Sequence, residues 1–187
     1  MTDSVDRLRA ILAAYKQVVD ASAPTLHPPM RDASRRWATA TEQQLEAELA
    51  EYLREASKPA CQIRVFWKMK PQLEFGGCNR QFAQDAGFAK AADLVGLTDF
   101  DDRVPWKPQG AKYRRDDEAV MEQKLARLNI IERQKSPTGD ITWVRVGKVP
   151  VQLNDGTAIG VLGMYEVLDA ATGRRLFGEQ LQTPGSK

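Results

Sequence analysis

Apolar residues fall at Val5, Leu8, Leu12, Tyr15 and Val19, in steps of three and four. That spacing lays one stripe along a helix over 4–20, with Ser4 placed to cap it. The segment "SAPTLHPPM", residues 22–30, carries three prolines and breaks the pattern. A second helical period covers about 32–57. Trp37, Leu45, Leu49, Tyr52, Leu53 and Ala56 lie on one side, and Glu42, Glu46, Glu48, Glu51 and Arg54 on the other. At Gln62 the texture changes. "QIRVFWK" alternates and is rich in β-branched and aromatic residues, so it reads as a strand, and "LEFGGC" follows as another after a "KPQ" turn. Helical pieces are expected over 80–86, 90–94 and 109–124, and strands over 127–134, 141–151 and 158–168. The turns "SPTGD" and "NDG" part these last strands, with Pro pre-setting φ and Gly supplying φ > 0.

The order β-β-α-α-α-β-β-β predicts an α+β protein. Three hairpin-linked strands form an antiparallel meander within a five-stranded antiparallel sheet. The intervening helices are the only segment available to cover one face of that sheet, as a clamp. Short helices clamped over a sheet enclose a volume suited to a small molecule. The expected organisation is an N-terminal extension of two helices over 1–58 with a Pro-rich linker at 23–30, a sheet domain over 61–169, and a C-terminal tail over 170–187.

Composition narrows the function. The 187 residues are 42% apolar, enough for a core. The charge is 27 − 25 = +2, which gives no electrostatic case for nucleic acid or an anionic membrane as partner. The basic clusters Arg31/Arg35/Arg36 and Lys112/Arg114/Arg115 are diluted by nearby acids and read as solvated faces. Cys61 and Cys78 form no Cys-x-x-Cys pair and read as reduced thiols of a cytoplasmic protein. The start of the chain shows no secretory h-region, and no apolar run reaches membrane-spanning length.

The segment "CNRQFAQDAGFAKAADLVGLTDFD" carries a resemblance. Asn79, Phe82, Ala83, Gly87, Phe88, Asp93, Leu94, Gly96 and Thr98 fit the pattern of the PAS sensory fold. "SPTGDITWVRVGKVPV" and "NDGTAIGVLGMYEVLD" fit its second half, and "LDAAT" resembles the Asp-x-Thr signal that often closes such domains. The resemblance covers about residues 61–169. "GLTDFDDRVPWKPQGAKYRRDDEAVME" further resembles PAS domains of bacterial histidine kinases, some of which hold a flavin and report redox state or oxygen. This implies a cytoplasmic sensory module of a two-component type, binding a small ligand, with FAD the leading candidate. It would signal through a homodimer or a downstream protein. A cofactor-free PAS module for dimerisation or docking is the competing expectation, and a small-metabolite sensor a third.

The candidate residues follow. Asn79 at a strand end caps the next helix or hydrogen-bonds a ligand. Trp67 and Trp106 are candidate walls of a flavin slot, with core packing as the alternative. Comparison with flavin-binding relatives turns Leu128, Ile130, Glu132, Val144, Val146, Val161, Gly163 and Tyr165 inward, with Glu132 and Tyr165 as the polar groups nearest a ligand. Tyr113 joins them from the long helix, and Lys112, Arg114 and Arg115 are placed to meet a pyrophosphate. The light-sensor motif has no counterpart: Cys78 precedes Asn79, no Cys lies near "LTDFDD", and residue 144 is Val where such a sensor offers Asn. Asp99, Asp101 and Asp102 read as polar helix-start residues. The single histidine, His27, stands outside the domain, so neither His-ligated haem nor a Ser/His or Cys/His catalytic pair is expected there. The chain is therefore expected not to be an enzyme.

Overall fold

The computed structural model describes residues 3–21, 30, 34–61, 63–135 and 138–182. Most of the Pro-rich linker, with His27 and Arg31, lies outside them. The elements are α1 (Ser4–Asp20), α2 (Ser34–Thr39), α3 (Glu42–Ala56), β1 (Ile63–Met69), β2 (Glu74–Cys78), α4 (Arg80–Asp85), α5 (Gly110–Gln123), β3 (Arg127–Lys135), β4 (Ile141–Gln152), β5 (Ala158–Leu168) and α6 (Ala170–Gln182). Single 3-10 turns at Ala91–Leu94 and Lys107–Gln109 join α4 to α5.

The five strands form one antiparallel sheet in the order β2-β1-β5-β4-β3, with β5 central. Both faces are covered, which is why β1 is buried at six of its seven positions rather than alternating. On the inner face lie Phe66, Val144, Val146 and Tyr165, under Phe82 and Ala83 of α4 and under Trp106. On the outer face lie Val65, Trp67, Met69, Val149, Val151, Leu162 and Met164, against α1 and α3. The helix α1 sits close on the sheet at Gly147, where an added Cβ would stand 3.0 Å from Val18 Cγ2.

The N-terminal stripes are used inside the chain. Leu12, Tyr15 and Val19 of α1 and Leu45 and Leu49 of α3 are buried in one cluster with the outer sheet face. The surfaces on which a homodimer was expected are therefore occupied by the chain itself. Asp3, rather than Ser4, caps α1 by accepting from the Val5 amide. The helix expected over 32–57 is divided between Thr39 and Glu42. Thr41 Oγ1 accepts from the Gln44 amide at 3.3 Å and Gln44 Oε1 accepts from the Thr41 amide at 2.9 Å, so this reciprocal cap starts a new helix. Arg9 ties the pieces together, donating to the Trp37 carbonyl at 2.8 Å.

Residues 170–182, expected as part of a tail, form α6. Asp169 Oδ1 accepts from the Ala171 and Thr172 amides. Phe177 packs on Trp143 with ring centroids 5.4 Å apart, and Gly173 permits the approach, since a Cβ there would stand 2.3 Å from Trp143 Cβ. Gln180 completes the docking: its amide accepts from Ile131 N at 2.8 Å and donates to Ile131 O at 3.2 Å, closing a backbone pair on the edge strand β3.

Asn79 is the joint between the two layers. Its Oδ1 accepts from the Phe82 amide at 3.2 Å, capping α4, and from the Val65 amide at 3.0 Å. Its Nδ2 donates to the carbonyls of Ala56 at 3.1 Å and Ile63 at 2.9 Å. Each buried backbone group left unpaired costs about 1–3 kcal/mol. Asn79→Ala is expected to lower the unfolding free energy by about 3 kcal/mol or more. In urea unfolding the midpoint falls with the slope unchanged; a loss below about 1 kcal/mol would contradict this role.

Candidate functional site

A cavity lies between the inner sheet face and the clamp. Its volume is about 50 Å³ for the centres of water-sized spheres, or roughly four waters at about 10–15 Å³ each. Flat rings form its walls. Phe66 and Phe82 stack at 4.6 Å between centroids, Trp106 lies 5.4 Å from Phe82, and Phe75 closes one end. Gly163 on β5 makes room for Phe66, since a Cβ there would stand 2.3 Å from its Cζ.

Charged groups form the floor. Lys68 on β1 is paired with Val161, and Lys148 on β4 with Gly163, so both side chains rise from the same face on either side of β5. Asp117 of α5, fully buried at 0% exposure, comes down between them. Its Oδ2 meets Lys68 Nζ at 2.8 Å and its Oδ1 meets Lys148 Nζ at 2.6 Å. Lys68 also pairs with Asp99, whose other oxygen accepts from Trp106 Nε1 at 3.0 Å. Burial pushes the Asp117 carboxyl up, but the ammoniums of Lys148 and Lys68 outweigh it and hold the group below the usual carboxylate range. For Lys148, burial pulls downward and the charges of Asp117 and Glu132 overcome it, so it ends above the usual lysine value.

A second polar set closes the far end. Tyr165 OH donates to Asp85 Oδ2 at 2.8 Å and accepts from Gln134 Nε2 at 3.2 Å, while Arg64 Nε holds Asp85 at 2.8 Å. Burial first, and then the Asp85 charge, raises the Tyr165 hydroxyl well above its ordinary value. Tyr113 donates to Gln109 Oε1 at 2.6 Å and is also raised, chiefly by burial.

Of the residues singled out from sequence, Trp106, Tyr113, Glu132, Val144 and Tyr165 line the cavity. Trp67 does not. Phe66 and Lys68 take the inner positions of β1, so Trp67 points outward, lying over Gly76 and Gly77, where a Cβ would stand 2.5 and 2.2 Å from its ring. Asn79 spends its side chain on backbone groups, as described. Arg115 is exposed on α5 and does not line the cavity. Ile130 pairs with Val146 and so shares the inner side of β3, half-buried beside the cavity rather than lining it. Leu128 packs outward because the β3–β4 register shifts between Arg127 and Ile130, with Asn129 at φ 58°. Lys112 bridges Asp116 and Glu132 at 3.0 Å each, and Arg114 pairs with Glu118, so both cations have partners within the chain. Cys78 is buried away from the lining, and burial raises its thiol to about 12.

Sequence reasoning missed Lys68, Lys148 and Asp117, and read Asp99 as a polar helix-start residue rather than as a buried partner of Lys68. The available signal was a lysine inside each of two apolar strand runs, "VFWKM" and "VGKVPV".

Comparison with known proteins shows the fold. No family model matches the chain, and no curated protein matches it. Among solved structures it is similar to an RNA-binding light-oxygen-voltage receptor, with 18% identity, TM-score 0.56, covering 82% of this chain and 39% of that one. It is similar to a light-oxygen-voltage domain studied with a flavin analogue, with 12% identity, TM-score 0.53, covering 72% and 94%. It is also similar to the Vibrio cholerae VqmA–ligand–DNA complex, with 20% identity, TM-score 0.50, covering 65% and 56%. The chain thus spans little more than half of VqmA and about two fifths of the RNA-binding receptor.

These likenesses define a PAS-like fold of the class that includes light-oxygen-voltage domains. None of the three is described as a histidine-kinase sensor, so the expected histidine-kinase context finds no support here. The exclusion of nucleic acid as a partner is overturned: this fold occurs in a receptor solved with DNA and in an RNA-binding receptor. A net charge summed over one domain does not describe what that domain is coupled to. Among the described residues, no helix is long and apolar enough to cross a membrane.

Removing one partner from a buried ion set costs about 3–5 kcal/mol, the loss expected for Asp117→Leu. The pH dependence has a definite sign. Asp117 is depressed, so its contribution is present above the ordinary carboxylate range and lost as pH falls through its lowered value. Lys148 is raised, so its contribution is present below the ordinary lysine range and lost as pH rises through its raised value. Denaturant unfolding across pH should show a plateau between these limits, and Asp117→Asn should make the acid limb shallower; an unchanged acid limb would contradict the assignment.

Proposed function

We propose that the chain is a cytoplasmic, non-catalytic sensory module that binds a small molecule in the clamp cavity and passes its occupancy on through α5 and partner contacts. The observation that carries this reading is the cavity itself. It joins ring walls to buried ammonium groups, whereas a module used only for docking would gain from filling that space with apolar side chains. Nucleic acid counts among the partners for the output, following the DNA- and RNA-binding proteins that share the fold.

Flavin is the second reading, favoured by the likeness to a light-oxygen-voltage domain studied with a flavin analogue. The cavity argues for something smaller. Room for about four waters falls short of a three-ring isoalloxazine, and Arg115 is not placed to meet the pyrophosphate of FAD. The 61–169 span remains our proposed sensory unit, with α1 and α3 as its outer cover.

The purified chain tests this. Its visible spectrum should lack flavin bands, and acid release followed by mass spectrometry should yield a compound smaller than riboflavin, or the protein should gain thermal stability from a low-molecular-mass cell extract. Flavin bands would establish the flavin reading instead. A colourless protein that releases nothing and is stabilised by no extract would leave the cofactor-free docking module.

A further inference from the structure

The cavity approaches the surface on one side. Among the described residues that line it, only Tyr113, Glu132 and Gln134 are half-buried, and every other one is buried. Tyr113 stands on α5, and Glu132 and Gln134 stand on β3. The way in therefore runs between that helix and that edge strand.

The Tyr113 ring stands in that way. Lys112 Nζ lies 5.4 Å from its centroid and Lys148 Nζ lies 5.7 Å from it. Lys112 is exposed on α5 and Lys148 is buried in the floor, so the ring parts an outer ammonium from an inner one. Its hydroxyl donates to Gln109 Oε1, a bond within the clamp rather than to the sheet. One ion pair spans the mouth, Lys112 Nζ to Glu132 Oε1 at 3.0 Å. Asp116 holds the same ammonium at 3.0 Å, so Lys112 keeps a partner when it lets Glu132 go. A half-exposed pair of this kind is a weak tie. Deeper in, Asp117 fastens α5 to the sheet through both lysines, so the ring can turn while the helix stays.

With the ring in place the cavity is too small for a molecule of one ring. Its volume of about 50 Å³ is about a third of the roughly 150 Å³ that takes a benzene. Turning Tyr113 outward removes a wall and adds the space of its ring. We propose, resting on the ligand-sensing reading above, that Tyr113 is the gate of the cavity and the Lys112–Glu132 pair its latch. A molecule enters and leaves between α5 and β3 when the latch parts and the ring turns out. The ring's return shuts the site from water.

Hydrogen exchange of the Trp106 indole N–H tests the gate without a ligand. That proton sits in the cavity wall, bonded to Asp99 Oδ1 at 3.0 Å, and exchanges when water enters. The full chain is followed by NMR in heavy water near neutral pH. Tyr113→Ala should speed the Trp106 indole by about tenfold or more. Lys112→Met, at an exposed position, should speed it several-fold. The Trp67 indole, on the outer face, and the amides of β5 should keep their wild-type rates. Added salt should speed the Trp106 indole in the wild type and not in Lys112→Met, because salt screens an exposed pair. Unchanged Trp106 exchange in Tyr113→Ala, or an equal rise at Trp67 and in β5, would overturn the gate. The sensing reading would then stand or fall on the spectrum and the extract alone. Unchanged Trp106 exchange in Lys112→Met, with no response of the wild type to salt, would overturn the latch.

Discussion

Asp117 stands between two lysines at the bottom of the clamp, with no exposed surface. Much of the inner layer follows from that contact. A carboxylate with both oxygens engaged by ammoniums from β1 and β4 fixes where α5 crosses the sheet. The end of α5 is also held by apolar contact, through Val120 and Met121 against Val161 and Leu73. Its first half has less of that support and depends on the charges. Asp99 extends the set to Trp106, so the segment leading into α5 is held by the same group of ions. A buried ion set is weak evidence for added stability, because its desolvation offsets much of its attraction. What it gives here is position: it holds the helix above the sheet rather than letting it collapse into it.

The outer layer leaves the inner one free for this. With α1 and α3 covering Val65, Trp67, Met69, Val149 and Leu162, the sheet has a dense core on one side. The other side can carry a cavity without the whole losing its hydrophobic support. Asn79 links the two layers by bonding at once to α3, β1 and α4. The docked α6 adds a third attachment, through Gln180 on the edge strand.

The regular elements were legible in the sequence because their signals are local. β5 runs over 158–168 as expected, and β3 and β4 each extend one residue further. The PAS-like order followed from the Asn79–Gly87 segment and the two hairpin turns. The split between α2 and α3 was also readable, since Thr41 and Gln44 have capping-box spacing, but the apolar stripe continued across it. The helix α6 was obscured by Gly173 and Gly178, which lower helix propensity, although Gly173 is needed for contact with Trp143. In the site, parity failed first: a strand buried on both faces gives no alternation to say whether Trp67 or Phe66 looks inward. The bulge at Asn129 then turned Leu128 away from its expected face. The lysines were passed over because lysine is seldom buried unless paired, and its partners lie 31 to 49 residues away in the chain.

On the proposed reading, sensing falls to the small polar-floored cavity, and α5 is the element that its charges hold and that a bound molecule would bias. Hydrogen exchange on Asp117→Asn tests this most directly, because the substitution keeps the side-chain volume and removes the charge. Backbone amides at 110–117 should exchange faster than in the wild type, while those of β5 keep their protection. Unchanged exchange at 110–117, or an equal rise in β5, would contradict the claim that this ion set holds the clamp.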